Sequence, residues 1–200
     1  MKKTVLIIMF LLGMLSGYVV FASSGIENNS IVETVKITPT AVPTPTIVVN
    51  PPKRLIIQKL GIDAEIEYVG LDYEGKMDVP KNPDSAGWFE LGYLPGKRGN
   101  AVIAGHLDKE TGEPAIFYNL NMLEKEDGIS IIDDKGKELV FRVVDKRSYP
   151  YNEFPSEEIF GPSDKFMLNL ITCQGNWDAS SRNYSNRLTV LAELLSPPRN

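Results

Sequence analysis

The chain has one cysteine and one histidine among 200 residues, Cys173 and His106. A lone thiol excludes an intrachain disulfide. With no C-x-x-C and no H-E-x-x-H, a metal centre would have to be built almost wholly from carboxylates, so neither a metal nor a cofactor is expected. Positive charge is also short: the net charge is −5, and no basic cluster stands out beyond Lys2-Lys3. A nucleic-acid partner would need a basic stripe, so none is expected.

What is present begins with "MKKTVLIIMFLLGMLSGYVVFASS". Two lysines precede an uncharged apolar run from Thr4 to Ala22. At ~1.5 Å per residue such a run just spans a bilayer core of about 30 Å. Residues 1–22 read as an anchor that keeps the lysines cytoplasmic and sends the rest of the chain outside the cell. A cleaved signal peptide is the competing reading, since Val20-Phe21-Ala22 offers a small residue for cleavage. Both readings export the remainder, where cysteines usually occur as disulfide pairs. A single exported thiol therefore points to an intermolecular bond or a reactive residue.

Residues 23–52 contain "TPTAVPTPTIVVNPP", a Pro/Thr-rich composition that favours an extended, semi-rigid spacer. Residues 53–195 carry the folding pattern and are enough for one core; residues 196–200 are a tail. "RLIIQ" and "DAEIEYV" read as strands around a turn at Leu60-Gly61-Ile62. "LDYEGKMDVP" reads as a hairpin with Gly75 at its tip. "NAVIAGH" is a buried strand, and "GISIID" with "KELVFRVVDKRSY" is a hairpin turning on "DKGK". Ile116, Phe117, Leu120 and Leu123 have helical spacing, and "EEIFG" is a short helical turn ending at Gly161. "FMLNLIT" and "RLTVLAEL" are the last strands, with "QGNWDASSRNYSN" as the loop between them. Seven or eight strands and one or two short helices make an all-β domain, a closed barrel or a sandwich.

Both chemically distinctive residues stand where a strand meets a loop, positions from which a rigid scaffold presents side chains. The thiolate is the nucleophilic form of cysteine, and a free thiol titrates near about 8.5, so a nucleophilic Cys173 needs an imidazole or a cation beside it. His106 is the only imidazole. A tetrahedral intermediate also needs a donor for its oxyanion. Arg187, heading the last strand, is the candidate if the last two strands are neighbours, and Arg182 in the polar segment is its rival. The bland alternatives are a buried cysteine, a hydrogen-bonded histidine and a solvated arginine.

The combination of "LITC" at Leu170–Cys173, an arginine opening the final strand and an upstream "AGH" resembles the sortase family. So do "RLIIQKLGIDAEIEYVGLDYEGKMDVPKNPDSAGWF", "PGKRGNAVIAGHLD" and "GEPAIFYNLNML", and these stretches are most similar to class F and class E members. The resemblance implies a closed seven- to eight-stranded barrel over residues 53–195. It implies an extracytoplasmic cysteine transpeptidase, with Cys173 as nucleophile, His106 as catalytic histidine and Arg187 as the oxyanion-stabilising arginine. Thr172 of the L-x-T-C signature is expected to shape the substrate groove. Asn169 departs from the family, many of whose members have threonine there.

The implied substrates are exported proteins with a C-terminal LPxTG-like sorting signal, cut between Thr and Gly through a thioester. The implied acceptor is an amine, typically on a peptidoglycan precursor of a Gram-positive cell wall. Whether the resting pair is thiolate–imidazolium or thiol–imidazole stays open. No short aromatic lid motif of the pilin-polymerising kind is visible, which leans toward surface-protein anchoring. Asp108, Glu110 and Glu113 lie close in sequence and read as a solvated loop. An L,D-transpeptidase would show S-x-G-C-x-R, which Leu170–Gly175 does not fit. A rival of another class is an anchored β-domain that binds peptide or carbohydrate without chemistry, using Trp88, Trp177 and Tyr184.

Overall fold

The computed structural model describes residues 48–195. The anchor at 1–22, the linker up to residue 47 and the tail at 196–200 lie outside the described residues. Eight strands form a closed barrel: β1 (Pro52–Ile57), β2 (Ile62–Val69), β3 (Ala86–Phe89), β4 (Gly99–Ala104), β5 (Gly128–Asp133), β6 (Glu138–Pro150), β7 (Phe166–Asp178) and β8 (Asn183–Leu194). Their order around the barrel is β1-β2-β3-β4-β7-β8-β6-β5, with β5 closing on β1. Only β2–β3 and β4–β7 are parallel. Among the described residues the one α-helix, α1, spans Ser156–Phe160.

Alternation fills the barrel. Leu55 and Ile57 of β1, Ile129 and Ile131 of β5, and Leu139, Phe141 and Val143 of β6 point inward and are buried. They join Ile103, Leu168, Leu170 and Val190 in one core. Each fully buried side chain of this size contributes about 1.5–3 kcal/mol. Ahead of β1, Val49 already packs on this core and Asn50 bonds Asp133.

β4 and β7 are covered on both faces. Outside the barrel, Val102 of β4 and Ile171 of β7 pack with Ile159 of α1, and Phe89, Phe154 and Phe160 pack around them. Asn100 donates its side-chain amide to the carbonyls of Glu158 (3.1 Å) and Gly161 (3.0 Å). Asn169 donates to the carbonyl of Ile159 (2.8 Å). Two buried asparagines thus satisfy carbonyls at the end of α1, which a short helix cannot satisfy itself. Asn169, the departure from the family pattern, anchors this connection.

Three local expectations are corrected. Residues 116–123 form no α-helix, only a 3₁₀ turn at Leu120–Met122. The backbone amides of Ile116 and Phe117 are already taken by the carbonyls of Pro83 and His106. Phe117, Leu120 and Leu123 are buried all the same. The 71–79 segment is a turn held by one bridge, Leu71 to Met77, rather than a stranded hairpin. The polar segment after Cys173 is largely strand: β7 runs on to Asp178 and β8 starts at Asn183.

Candidate active site

Cys173 sits in β7, half-buried, and its ladder partner on β8 is Arg187. Residues directly opposite in an antiparallel pair project to the same face with Cβ atoms about 4.5–5.5 Å apart. The guanidinium is held by its own end of the hairpin: Nη2 donates to Asn183 Oδ1 (2.6 Å), and Nη1 to the carbonyl of Asn186 (3.1 Å).

His106 reaches the site from the other flank of β7. The parallel β4–β7 register pairs Ala104 with Ile171. It continues past the end of β4, where the Gly105 amide donates to the Ile171 carbonyl (3.0 Å). Thr172 Oγ1 donates to the Gly105 carbonyl (2.8 Å). His106 and Cys173 are each two residues past the Ala104–Ile171 pair, so they come level. Thr172 is 3% exposed and is the rivet between the two strand ends. Gly105 is needed at this crossing, because a Cβ there would lie 2.4 Å from the Phe117 ring.

The His106 Nε2 lies 2.8 Å from the Pro80 carbonyl oxygen. A carbonyl can only accept, so Nε2 carries the proton and Nδ1 is left for chemistry. Pro80 is itself fixed from β2: the Glu67 carboxylate accepts the backbone amides of Lys81 (2.8 Å) and Asn82 (3.0 Å).

Burial pushes the Cys173 thiol above its ordinary range. The Arg187 charge opposes that shift and the Asp108 charge adds to it. Asp108 was expected in a solvated loop with Glu110 and Glu113. Glu110 and Glu113 are exposed, but Asp108 accepts a hydrogen bond from the Tyr184 hydroxyl. That bond is the first cause of a phenol pKa pushed up to about 12, with burial and the Asp108 charge adding to it. Asp108 and Tyr184 carried no site expectation as a pair, and 76 positions separate them, so spacing gave no signal.

Cys173, His106, Arg187 and Thr172 all line one cleft of about 740 Å³. The 71–79 turn bounds it together with the 151–160 segment, and Phe89, Phe154 and Phe160 supply apolar wall. Arg182, the rival arginine, is exposed at positive φ in the turn between β7 and β8 and does not line the cleft. Of the aromatic contacts assigned to a binding-only domain, Trp88 is 5% exposed and donates Nε1–H to the Tyr93 carbonyl (3.0 Å). It belongs to the core. A thiol, an imidazole with a free Nδ1 and a guanidinium on one groove can attack a carbonyl, protonate a leaving group and hold an oxyanion.

The family model described as a sortase domain matches residues 55–195. Sortase C-1 from Actinomyces oris shares the fold at a TM-score of 0.58 and 22% identity, covering 74% of this chain and 76% of that one. A sortase D5 transpeptidase from Clostridium perfringens gives 0.55 at 21% identity, covering 73% and 79%. Sortase A from Corynebacterium diphtheriae gives 0.54 at 22% identity, covering 76% and 64%. No curated protein sequence matches the chain.

Proposed function

The chain belongs to the sortase family of cysteine transpeptidases, and from that premise we propose that it cuts an LPxTG-like sorting signal through a thioester on Cys173 and passes the acyl group to an amine. The observation that carries this reading is the meeting of Cys173, His106 and Arg187 on one cleft large enough for a short peptide. The sulfur attacks the Thr carbonyl of the signal. Arg187, opposite Cys173, stabilises the oxyanion. The proton leaves with the glycine amine through His106, because an amine anion is a poor leaving group. An incoming amine, such as that of a peptidoglycan precursor, then attacks the thioester and regenerates the thiol.

The class F and class E motifs support surface-protein anchoring over pilin polymerisation. The apolar run at residues 4–22 supports a membrane anchor with the barrel outside the cell. Mass spectrometry of the protein with a library of LPxTG-like peptides tests the reaction. The expected result is an acyl adduct on Cys173 that Cys173→Ala lacks and that an added amine discharges. No adduct with any peptide would sink the transpeptidase reading.

A further inference from the structure

The extension of β8 past the core places Asn183 on the face that carries Arg187. The two stand four positions apart on one strand, and even spacing keeps side chains on one side of a sheet. The extra residue of the hairpin lies on the other strand, after Gln174. Gly175 takes up that bulge at φ 87°, where a Cβ would lie 2.1 Å from Ser185 Oγ. The Asn176 amide donates to the same oxygen (3.1 Å), so the end of the hairpin is pinned across both strands. Asn183 and Arg187 line the main cleft together with Cys173 and His106.

Two donors fix which way the Asn183 amide faces. Arg187 Nη2 lies 2.6 Å from one atom of it, and the Tyr184 backbone N–H donates to the same atom (3.0 Å). Neither donor can accept, so that atom is the carbonyl oxygen, Oδ1. The Tyr184 bond orients the side chain, and the oriented oxygen holds the guanidinium. Nδ2 keeps two N–H donors and has no acceptor among the described residues.

A peptide entering the cleft brings backbone carbonyls that lose water and need donors. Two other donors on the cleft are already spent. His106 Nε2–H is on the Pro80 carbonyl, and the Thr172 hydroxyl is on the Gly105 carbonyl. Asn152, the other asparagine on the cleft, is exposed, whereas Asn183 is half-buried.

We propose that Asn183 is a substrate-binding and positioning residue: Nδ2 donates to a backbone carbonyl of the bound peptide while Oδ1 holds the Arg187 guanidinium for the oxyanion. This rests on the transpeptidase reading. One planar amide thereby ties the peptide to the group that meets its developing negative charge. A guanidinium fixed before attack needs no reorganisation when that charge appears.

The test is a double-mutant cycle in the full-length enzyme, read as kcat and KM for a peptide that acylates the wild type. Asn183→Ala is expected to lower kcat about ten-fold and to raise KM about five-fold. In the Arg187→Ala background the same change should leave kcat where it is, because its effect on kcat passes through the guanidinium. It should still raise KM there. Asn183→Asp keeps the acceptor for Tyr184 and Arg187 but loses the donor, so its KM should match that of Asn183→Ala. Equal kcat losses in both backgrounds, the mark of a general structural defect, would overturn the proposal while the transpeptidase reading stands. A wild-type KM in Asn183→Ala or Asn183→Asp would do the same. Failure of the wild type to form any thioester would overturn both.

Discussion

Cys173 and Arg187 are direct ladder partners on β7 and β8, with their side chains on one face of the barrel wall. In the proposed reaction the guanidinium has two tasks at that position. It offers hydrogen bonds where the oxyanion develops, and its charge favours the thiolate. Arg187→Ala should lower kcat about 10²–10³-fold, the usual cost of losing one oxyanion donor. It should also slow iodoacetamide alkylation at neutral pH. Arg187→Lys keeps the charge and loses the fork, so alkylation should hold while turnover falls. Equal alkylation rates in wild type and Arg187→Ala would remove the electrostatic task.

The thiol itself sets a pH dependence. Burial raises its pKa above the ordinary thiol range, Arg187 pulls it back, and Asp108 pushes it further up. The thiolate is then a minor species at neutral pH, and its fraction grows as pH rises. Alkylation of Cys173 by a neutral reagent should climb steadily through neutrality, with its inflection above the ordinary thiol range. A plateau reached by about pH 7 would show a thiolate stabilised by something other than these groups.

Much of this was legible because β-structure and motif reading draw on local sequence. β1, β5 and β6 alternate in burial but appear in the sequence as β-prone runs bounded by turn residues, and the buried run of β4 as an apolar stretch. Arg187 could be placed beside Cys173 because two consecutive strands joined by a short connection pair antiparallel. The misses share one feature, which is that specific hydrogen bonds and strand pairings, invisible to residue spacing, decided local structure. Ile116 and Phe117 have helical spacing, yet their amides belong to Pro83 and His106. The Asp72 carboxylate holds the amides of Glu74 and Lys76, which closes a tight turn where a hairpin was expected. The polar stretch after Cys173 stays paired beyond the core through a bulge after Gln174, with Trp177 against Tyr184 at a ring separation of 5.2 Å. Asp108 gave no local sign of meeting Tyr184.

His106 is oriented at one remove. Glu67 grips the amides of Lys81 and Asn82, and the adjoining Pro80 carbonyl accepts the hydrogen bond from Nε2–H. Glu67→Ala should free that segment and lower kcat about ten-fold, an effect of about 1.4 kcal/mol, with KM little changed. Burial opposes the Glu67 charge, but the Lys81 and Asn82 amides outweigh it and hold its pKa below 4.5. The grip is therefore complete above that value and is lost as pH falls through the depressed pKa. If Glu67→Ala kept full kcat, Pro80 would be positioned by other contacts.

Asp133 closes the β5–β6 turn in the same manner, with larger consequences for stability. It is 2% exposed; Oδ1 accepts the amides of Lys135 (2.9 Å) and Lys137 (2.8 Å), and Oδ2 accepts Asn50 Nδ2 (2.7 Å). Burial works against the charge, yet the Asn50, Lys137 and Lys135 bonds together hold its pKa below 3.8. A depressed folded pKa means a contribution present above the unfolded value and lost as pH falls through the folded one. Asp133→Ala leaves three donors without their acceptor and should cost about 1–3 kcal/mol at neutral pH by urea unfolding. As pH falls through the depressed folded pKa the wild-type carboxylate protonates, so the gap between the two proteins should narrow with further acid. A gap that stayed constant down to about pH 2 would mean that the side chain's volume, and not its charge, holds the turn.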